Sequence, residues 1–289
     1  MRADGVRLRN IDPMYNVAAH IMDKRYDAMN MIELDIPVEP IQKYINAKRK
    51  EGISISHMAV IIAAYLRTVA EFPELNRFIV NKKMYARNEI AVGMVVLKSG
   101  QGGHGTMSKM YLDYENTIFD VNNIINDYVE ANRYQPDNNK TEKLIKVLLS
   151  LPGLLNIGVK IFKFMDKYGL LPKSIIDASP FHTSLLISNL ASIRTNHIFH
   201  HVYEFGTTGV GITMGNSREV AKRVGGEIVF EKCIPLGVVM DERICSGSYF
   251  AVAFRKMKKY LDDPSLLEAR PEKINPETPQ KKKSKYAVN

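Results

Sequence analysis

Histidines are the side chains of this sequence whose chemistry is easiest to place. His200 and His201 are adjacent, and His182 precedes an apolar run at 185–190. Two imidazoles together can act as acid and base near neutral pH, or can bind a metal. No acid or cysteine lies near them at the spacing of a zinc site, and the chain has only two cysteines. These histidines therefore favour proton transfer without a metal, with ordinary loop histidines as the alternative.

Length and composition restrict the class of protein. The chain has 289 residues, of which 45% are hydrophobic and 25% charged, so it can bury a large core as one or two domains. We find no secretion signal, no apolar run of the roughly 18 residues that a membrane helix needs, and no glycine-rich nucleotide-binding motif. The low cysteine content is typical of a reducing compartment, so we expect a cytoplasmic protein.

The net charge of +9 is concentrated in two segments. Residues 143–173 contain six lysines and one acid, a balance of +5, and residues 271–289 contribute +3. The remaining chain is close to neutral, which argues against a general nucleic-acid surface. An anionic small molecule or an anionic membrane surface is the preferred partner. We interpret residues 271–289 as a disordered basic tail and residues 1–270 as one domain.

The basic segment 143–173 mixes lysines with apolar residues, and Pro152 and Gly153 divide it into two predicted helices. Basic amphipathic helices can lie in the interface of a membrane. The commoner arrangement is a helix pair that packs on the core and keeps its lysines in solvent. A third interpretation is a lid over an apolar acyl or aromatic substrate. The sequence leaves all three open.

Apolar periodicity predicts a mixture of strands and helices without a regular βαβ repeat. Strands are predicted at 31–36, 78–80, 83–85, 90–97, 185–190, 210–214 and 227–240. Helices are predicted at 38–51, from Ser54 or Ser56 to Pro73, at 118–129 and at 248–261. The glycine-rich stretch 99–105 predicts a flexible turn. The pattern indicates an α/β protein with a mixed sheet.

Three segments resemble the catalytic domain of the dihydrolipoyl acyltransferases, which share a fold with chloramphenicol acetyltransferase. The first is a helix ending in Pro-Glu-Leu-Asn at 73–76, followed by a short hairpin and the strand at 90–97. The second is Leu-Ile-Ser-Asn-Leu at 186–190, similar to the family's Thr-Ile-Ser-Asn-Leu strand. The third is Asp-Glu-Arg-Ile-Cys-Ser-Gly at 241–247, similar to the family's Asp-His-Arg-x-x-Asp-Gly signature. Order and spacing agree over most of residues 15–268.

This resemblance implies a two-layer α/β sandwich that assembles as a homotrimer. In the family the active site lies between subunits, where the signature histidine is a general base that takes the proton of a coenzyme A or lipoamide thiol. A serine or threonine hydroxyl stabilises the tetrahedral oxyanion, and Ser188 matches that hydroxyl. The implied co-substrate is an acyl-coenzyme A, and no metal is implied.

The signature departs from the family at its two catalytic positions. Glu242 stands where the histidine is expected and Ser246 where the second aspartate is expected, whereas Asp241 and Arg243 are kept. The ordinary pKa of a glutamate is about four units below that of a thiol, so Glu242 is a poor base unless burial raises its pKa. Ser246 has the alternative role of capping the last helix. Arg25 matches the family arginine that pairs with the signature aspartate, and Glu242 is its expected substitute partner.

Two functions follow from these observations. One is an acyltransferase that moves an acyl group from coenzyme A to an unidentified small-molecule acceptor. The other is a trimeric binding or scaffold protein that has lost the base and has no turnover. The catalytic candidates are His201, His200, Ser188, Glu242 and Ser246, with His182 as a substrate-binding candidate.

Two further expectations concern location and partners. Peripheral contact with an anionic membrane through residues 143–173 is compatible with the acyltransferase. A subunit of a 2-oxoacid dehydrogenase complex is not expected, because only about 15 residues precede the match, too few for a lipoyl domain.

Overall fold

A computed structural model describes residues 2–98, 105–134, 140–150 and 153–277. Ten strands and eight helices lie within these ranges. The strands are β1 (Gly5–Arg7), β2 (Met29–Pro37), β3 (Arg77–Val80), β4 (Lys83–Arg87), β5 (Ile90–Leu97), β6 (Gly105–Leu112), β7 (Leu185–Asn189), β8 (Val210–Met214), β9 (Arg218–Val224) and β10 (Glu227–Asp241). The helices are α1 (Pro13–Ile21), α2 (Val38–Lys50), α3 (His57–Glu71), α4 (Ile118–Tyr134), α5 (Lys140–Leu149), α6 (Leu154–Tyr168), α7 (Lys173–Ala178) and α8 (Gly247–Asp262).

Seven strands form the main sheet, in the order β2-β10-β8-β7-β5-β6, with β9 paired to β10. β7 runs parallel to both β5 and β8, and the other neighbours are antiparallel. A second, three-stranded sheet has the order β1-β4-β3. This arrangement confirms the predicted mixed sheet.

One face of the main sheet packs against the helices. Alternate strand residues point into this core, among them Val92, Met94, Leu185, Ile187, Ile212 and Leu236. Helix α3 lies at its centre, where thirteen of its fifteen residues are buried, so it is enclosed on all sides rather than amphipathic. Ser56, rather than Ser54, caps α3 by accepting a hydrogen bond from the Ala59 N–H at 3.1 Å.

The opposite, outward face of the sheet is covered by residues 196–202, which we call the strap. Side chains at Gly215 or Gly237 would collide with the backbone of His197 or Ile198. Glycine at both positions therefore lets the strap lie directly on strands β8 and β10.

All the predicted strands and helices are confirmed, but five elements escaped prediction: β1, β6, β9, α1 and α7. Strand β9 has no apolar face, since it carries Arg218, Glu219, Lys222 and Arg223 and pairs only with β10. In the predicted turn at 99–105, residue 105 begins β6, and residues 99–104 lie outside the described ranges.

Residues 271–277, the first part of the predicted tail, contact the body of the protein. The Asn275 N–H donates to the Ala70 carbonyl at 3.0 Å, and Ile274 packs on the core. Glu277 accepts hydrogen bonds from the Arg77 guanidinium, with Arg77 Nε 2.8 Å from Glu277 Oε2. These contacts bind this part of the segment to the body, while residues 278–289 are outside the described ranges. The division of the chain into a domain at 1–270 and a tail at 271–289 stays a prediction.

Candidate functional site

The signature loop, residues 241–247, is held by a buried ionic cluster of Arg25, Asp241 and Arg243, which we call the Asp241 cluster. Asp241 is fully buried at the end of β10 and accepts from Arg25 Nε at 3.2 Å. It also accepts from Arg243 Nε and Nη2, both at 2.8 Å. Burial acts to lower the pKa of Arg243, but its bonds to Asp241 outweigh this and raise it. One carboxylate thus serves two guanidinium groups.

The rest of the Arg25 side chain binds backbone carbonyls. It donates to the carbonyls of Tyr203 at 2.6 Å, Ile79 at 3.1 Å and Gly206 at 3.2 Å. The expectation that Glu242 would pair with Arg25 is therefore wrong, because the adjacent Asp241 takes that place. Strand alternation explains the difference, since it turns residue 241 inward and leaves the next residue at the surface.

Glu242 and Ser246 occupy exposed positions of the loop. The backbone N–H of Glu242 donates to the Ala28 carbonyl at 2.8 Å, and its carboxylate contacts no base among the described residues. Ser246 caps α8 by accepting from the Tyr249 N–H at 3.2 Å, and it bonds Ser248 Oγ at 2.9 Å. The helix-capping alternative for Ser246 is thus what the structure shows.

Ser188 lies elsewhere, in the middle of the outward face. Its register partner on β8 is Thr213, which is opposite Gly237 on β10, which in turn is opposite Glu33 on β2. We call these four residues the outward row. Ser188 is half-buried, and neighbouring strands are about 4.8 Å apart, so the two hydroxyl residues are adjacent.

A histidine that the sequence did not single out lies on this row. The His197 ring covers Gly237, and its Nε2 is 3.3 Å from Glu33 Oε2. Its Nδ1 is buried and has no hydrogen-bond partner in the part of the chain that the structure describes. Arg218 also pairs with Glu33, so the carboxylate bridges a histidine and an arginine. An imidazole oriented by a carboxylate is an arrangement suited to a general base.

The hydroxyl of Thr213 binds the strap to the sheet. It donates to the Ile198 carbonyl at 2.5 Å and accepts from the Ile198 N–H at 3.1 Å. These two bonds hold His197, the preceding residue, over Gly237.

The predicted pair His200 and His201 lies on the exposed side of the strap. The two rings stack at 4.8 Å, and His200 Nδ1 is 2.8 Å from the His201 carbonyl oxygen. The His201 ring also meets Tyr203 edge-on at 4.8 Å. Neither histidine pairs with a carboxylate among the described residues. Within the described ranges, the structure therefore gives this pair no carboxylate of the kind that orients His197.

His182 is enclosed in a second ionic cluster, away from the outward row. Its Nδ1 is 2.8 Å from Ser179 Oγ, and its Nε2 is 3.3 Å from Asp166 Oδ1, too poorly aligned for a hydrogen bond. Asp166 is also paired with Arg2 at 2.6 Å. Burial lowers the pKa of His182, and Asp166 only partly offsets this.

Within one chain, the signature loop and the outward row are separate. Glu242 is five residues beyond Gly237 on β10, which corresponds to about 16 Å along the strand. The structure therefore unites Ser188 with Thr213, His197 and Glu33, and does not bring Glu242 or Ser246 to them. No group of three or more metal-ligating side chains occurs within the described ranges.

Sequence reasoning missed His197, Glu33 and Thr213 because their proximity depends on strand order. Glu33 is an acidic residue in the predicted strand at 31–36. The alternation of apolar and acidic residues there predicts that Glu33 points away from the core, as it does. A usable signal was Gly237, since a glycine inside an apolar strand indicates close approach of another chain segment.

Comparisons with known proteins show the fold. No family model and no curated protein matches the chain. Among solved structures, it is similar to a probable dihydrolipoamide acetyltransferase from Listeria monocytogenes, with 13% identity over 89% of this chain and 94% of that one, TM-score 0.55. It is also similar to a chloramphenicol acetyltransferase, with 12% identity over 89% and 99% of the chains, TM-score 0.54.

A third similar structure is the dihydrolipoamide acetyltransferase of Azotobacter vinelandii, with 9% identity over 91% and 93% of the chains, TM-score 0.57. Its study concerned the role of a serine, a histidine and an asparagine in the catalytic mechanism. These structures confirm the chloramphenicol acetyltransferase-like fold that the sequence motifs predicted.

Proposed function

We propose that the protein is an acyltransferase with a coenzyme A thioester as acyl donor, in which His197 replaces the base missing from the signature. The observation that supports this is the outward row, where a carboxylate-paired imidazole lies beside two hydroxyl residues on one sheet face. The acetyltransferase fold supports the reaction class. Within the row, Ser188 lies in the strand whose sequence resembles the family's serine motif.

In this proposal Glu33 holds the Nε2 proton of His197, which leaves Nδ1 as the base. Nδ1 takes the proton of the acceptor, and the acceptor attacks the thioester carbonyl carbon. The Ser188 hydroxyl stabilises the resulting oxyanion. When the carbon–sulfur bond breaks, the coenzyme A thiolate leaves and receives the proton from His197. Because Nδ1 is enclosed, the strap must shift for the acceptor to reach it.

We further propose a homotrimer with the site at the subunit interface. Five residues of nearly extended chain, about 16 Å, separate Glu242 from Gly237 of the outward row, which argues against contact of the two sites within one chain. An interface would let the exposed Glu242 carboxylate of one subunit face the outward row of the next. Sedimentation velocity measures the assembly directly.

The test is the release of coenzyme A from acetyl-coenzyme A, alone and with thiol and amine acceptors. His197→Gln and Glu33→Gln are expected to lower the rate at least about a hundredfold, the usual contribution of a general base. His201→Gln is the matched control, because its ring lies on the exposed side of the same strap. Loss of rate in His201→Gln with an unchanged rate in His197→Gln would instead support the pair chosen from the sequence.

A non-catalytic binding protein is the second candidate. It is favoured by the Thr213 hydroxyl, which both donates to and accepts from the Ile198 backbone and is therefore already engaged by the strap. It predicts that acetyl-coenzyme A raises the melting temperature without turnover. Glu242→His, which restores the signature histidine, should then create a measurable rate. Assembly of the wild type without binding or turnover would support a scaffold protein and contradict the acyltransferase.

A further inference from the structure

Helices α5 and α6 carry apolar side chains that the protein leaves uncovered. The exposed apolar residues that repeat once per helical turn are Ile145 and Leu149 on α5 and Ile157, Ile161, Phe164 and Tyr168 on α6, and we call these six the α5–α6 face. Contiguous exposed apolar surface is unusual on a soluble domain and marks a site of interaction. The packing explanation of these helices does not account for it, because this face points away from the core.

Helix α6 shows the pattern most clearly. Ile157, Ile161, Phe164 and Tyr168 follow at intervals of four, three and four residues, which places them in one stripe along the helix. All four are exposed, and Phe164 is 60% exposed. A stripe of this length without a partner indicates a ligand with an extended apolar surface.

The opposite side of α6 is fixed to the body. Gly158 packs against Leu148 of α5, where an added Cβ would come within 2.6 Å of that side chain. Asp166 is buried and pairs with Arg2 at 2.6 Å. The exposed stripe therefore has a defined direction.

Lysines accompany the stripe along one flank. Lys160, Lys163 and Lys167 are spaced by three and four residues, so they form a row beside the apolar one. All three are exposed, and none forms an ion pair within the described ranges. An apolar stripe next to a cationic row is complementary to a surface that is apolar inside and anionic at its boundary.

The lysine row also borders a cleft of about 340 Å³. Lys24, Lys163 and Lys167 line it without an ion-pair partner among the described residues. Two of the three acids of the cleft are paired with cations, Asp23 with Lys82 at 2.7 Å and Asp166 with Arg2 at 2.6 Å. The third, Glu204, accepts from the backbone N–H of Arg25 at 2.6 Å and keeps its charge, so three lysines stand against one carboxylate. The cleft can therefore accept a phosphate-bearing headgroup, because its uncompensated charge is positive.

We propose that the α5–α6 face docks on an anionic lipid bilayer, with its apolar stripe in the acyl boundary and its lysines against headgroup phosphates. A second copy of this chain fits less well, because the acid of α6, Asp166, is buried, so α6 of one copy offers no exposed carboxylate to the lysines of the other. No helix within the described ranges is long and apolar enough to span a bilayer. The proposal does not depend on the acyl-transfer function.

The chain offers a direct spectroscopic test, because it contains no tryptophan. Phe164→Trp places the chain's single tryptophan in the stripe, and Phe230→Trp is its matched control on β10, where Phe230 is 69% exposed. With vesicles of equal parts phosphatidylcholine and phosphatidylglycerol, we expect a blue shift for Phe164→Trp and none for Phe230→Trp. With phosphatidylcholine alone, neither should shift. No shift for Phe164→Trp, or equal shifts for both variants, overturns the proposal.

Vesicle sedimentation of the full chain tests the charge contribution. Replacement of Lys160, Lys163 and Lys167 by glutamine should weaken binding to the same anionic vesicles by about fivefold per lysine. The control replaces Arg255, Lys258 and Lys259 on α8, with the same change in net charge. Equal losses in the two triple variants contradict docking through this face.

Two further results would identify another occupant and overturn the proposal. Binding to heparin without binding to vesicles would indicate a soluble polyanion. A smaller assembly for Phe164→Glu in sedimentation velocity, with vesicle binding unchanged, would indicate a second copy of the chain. Circular dichroism melting of each variant establishes that a loss does not come from unfolding.

Discussion

The signature loop begins at Asp241, the last residue of β10, and the outward row crosses the same strand at Gly237. The two regions are stabilised by different interactions. The loop depends on the Asp241 cluster, in which every charged group is buried and paired. In the row, neutral hydrogen bonds between Thr213 and the strap and the absence of a side chain at Gly237 let the strap lie on the sheet, and the only charged member, Glu33, is exposed. The loop is fixed by buried charges, and the centre of the row by close contact of backbone segments.

This difference explains which positions of residues 241–247 match the acyltransferase signature. Asp241 and Arg243 are buried, and the loss of Asp241 would leave two guanidinium groups, those of Arg25 and Arg243, without their carboxylate. Positions 242 and 246 are exposed, so residues there can change without disturbing the fold. The positions that match the signature are the buried ones, 241 and 243, and those that differ are the exposed ones, 242 and 246. Such a match predicts the fold better than the reaction.

Asp241→Ala is the most severe test of the comparison. Removal of this carboxylate leaves the buried guanidinium groups of Arg25 and Arg243 without their anion, so we expect the free energy of unfolding to fall by about 3–5 kcal/mol. Urea unfolding followed by circular dichroism measures it.

The matched control for that variant is Asp166→Ala. Asp166 is also a buried aspartate paired with an arginine, but Arg2 keeps a second carboxylate, Asp4 at 2.9 Å, so its loss should be smaller. Equal losses for the two aspartates would show that the shared use of Asp241 adds nothing.

Thr213→Val tests the outward row. The variant keeps the shape of the side chain and removes both bonds to Ile198, which leaves a carbonyl and an N–H of the strap without partners. We expect a loss of about 1–3 kcal/mol in unfolding free energy. Proteolysis of the strap should accelerate as well. Ser188→Ala is the control on the neighbouring strand, and a similar loss there would count against the strap contacts as the cause.

The sequence predicted the fold well because periodicity and local caps carry that information. Alternation at 31–36 placed Glu33 on the outward face, and the apolar run at 90–97 became a central strand. Elements without an apolar face, such as β9, had no such signal. Helix α1 did have one, since Asp12 precedes Pro13 and caps the helix by accepting from the Met14 N–H at 2.8 Å.

The candidate site was harder to predict because its members are distant in the chain. His197 and Glu33 are paired through the order β2-β10-β8, which neither local sequence contains. The same limit produced the wrong partner for Arg25, since only the direction of the last β10 side chain decides between residues 241 and 242. The pairing of Glu277 with Arg77 had no local signal for a similar reason, because the two residues are distant in the chain.

Ser246→Ala tests the role of the loop's altered aspartate position. Because Ser246 caps α8, we expect a loss of about 1 kcal/mol in unfolding free energy, the usual value of a helix N-cap. Ser246→Asp, which restores the signature residue and can also cap, should keep the wild-type stability. Urea unfolding of both variants measures the difference, and a loss in the aspartate variant as large as in the alanine variant would argue against capping.

Glu242→Gln should have the smallest effect on the stability of the single chain. The carboxylate is exposed and has no partner among the described residues, so the unfolding free energy should stay within about 0.5 kcal/mol of the wild type. The same variant tests the proposed trimer, because a carboxylate that faces a neighbouring subunit would change assembly while leaving the chain's own fold intact. Sedimentation velocity across a concentration series separates the two effects. A loss well above 1 kcal/mol in the monomer would mean that the Glu242 carboxylate is bound within its own chain. The loop would then depend on this exposed residue as well as on the buried Asp241 cluster.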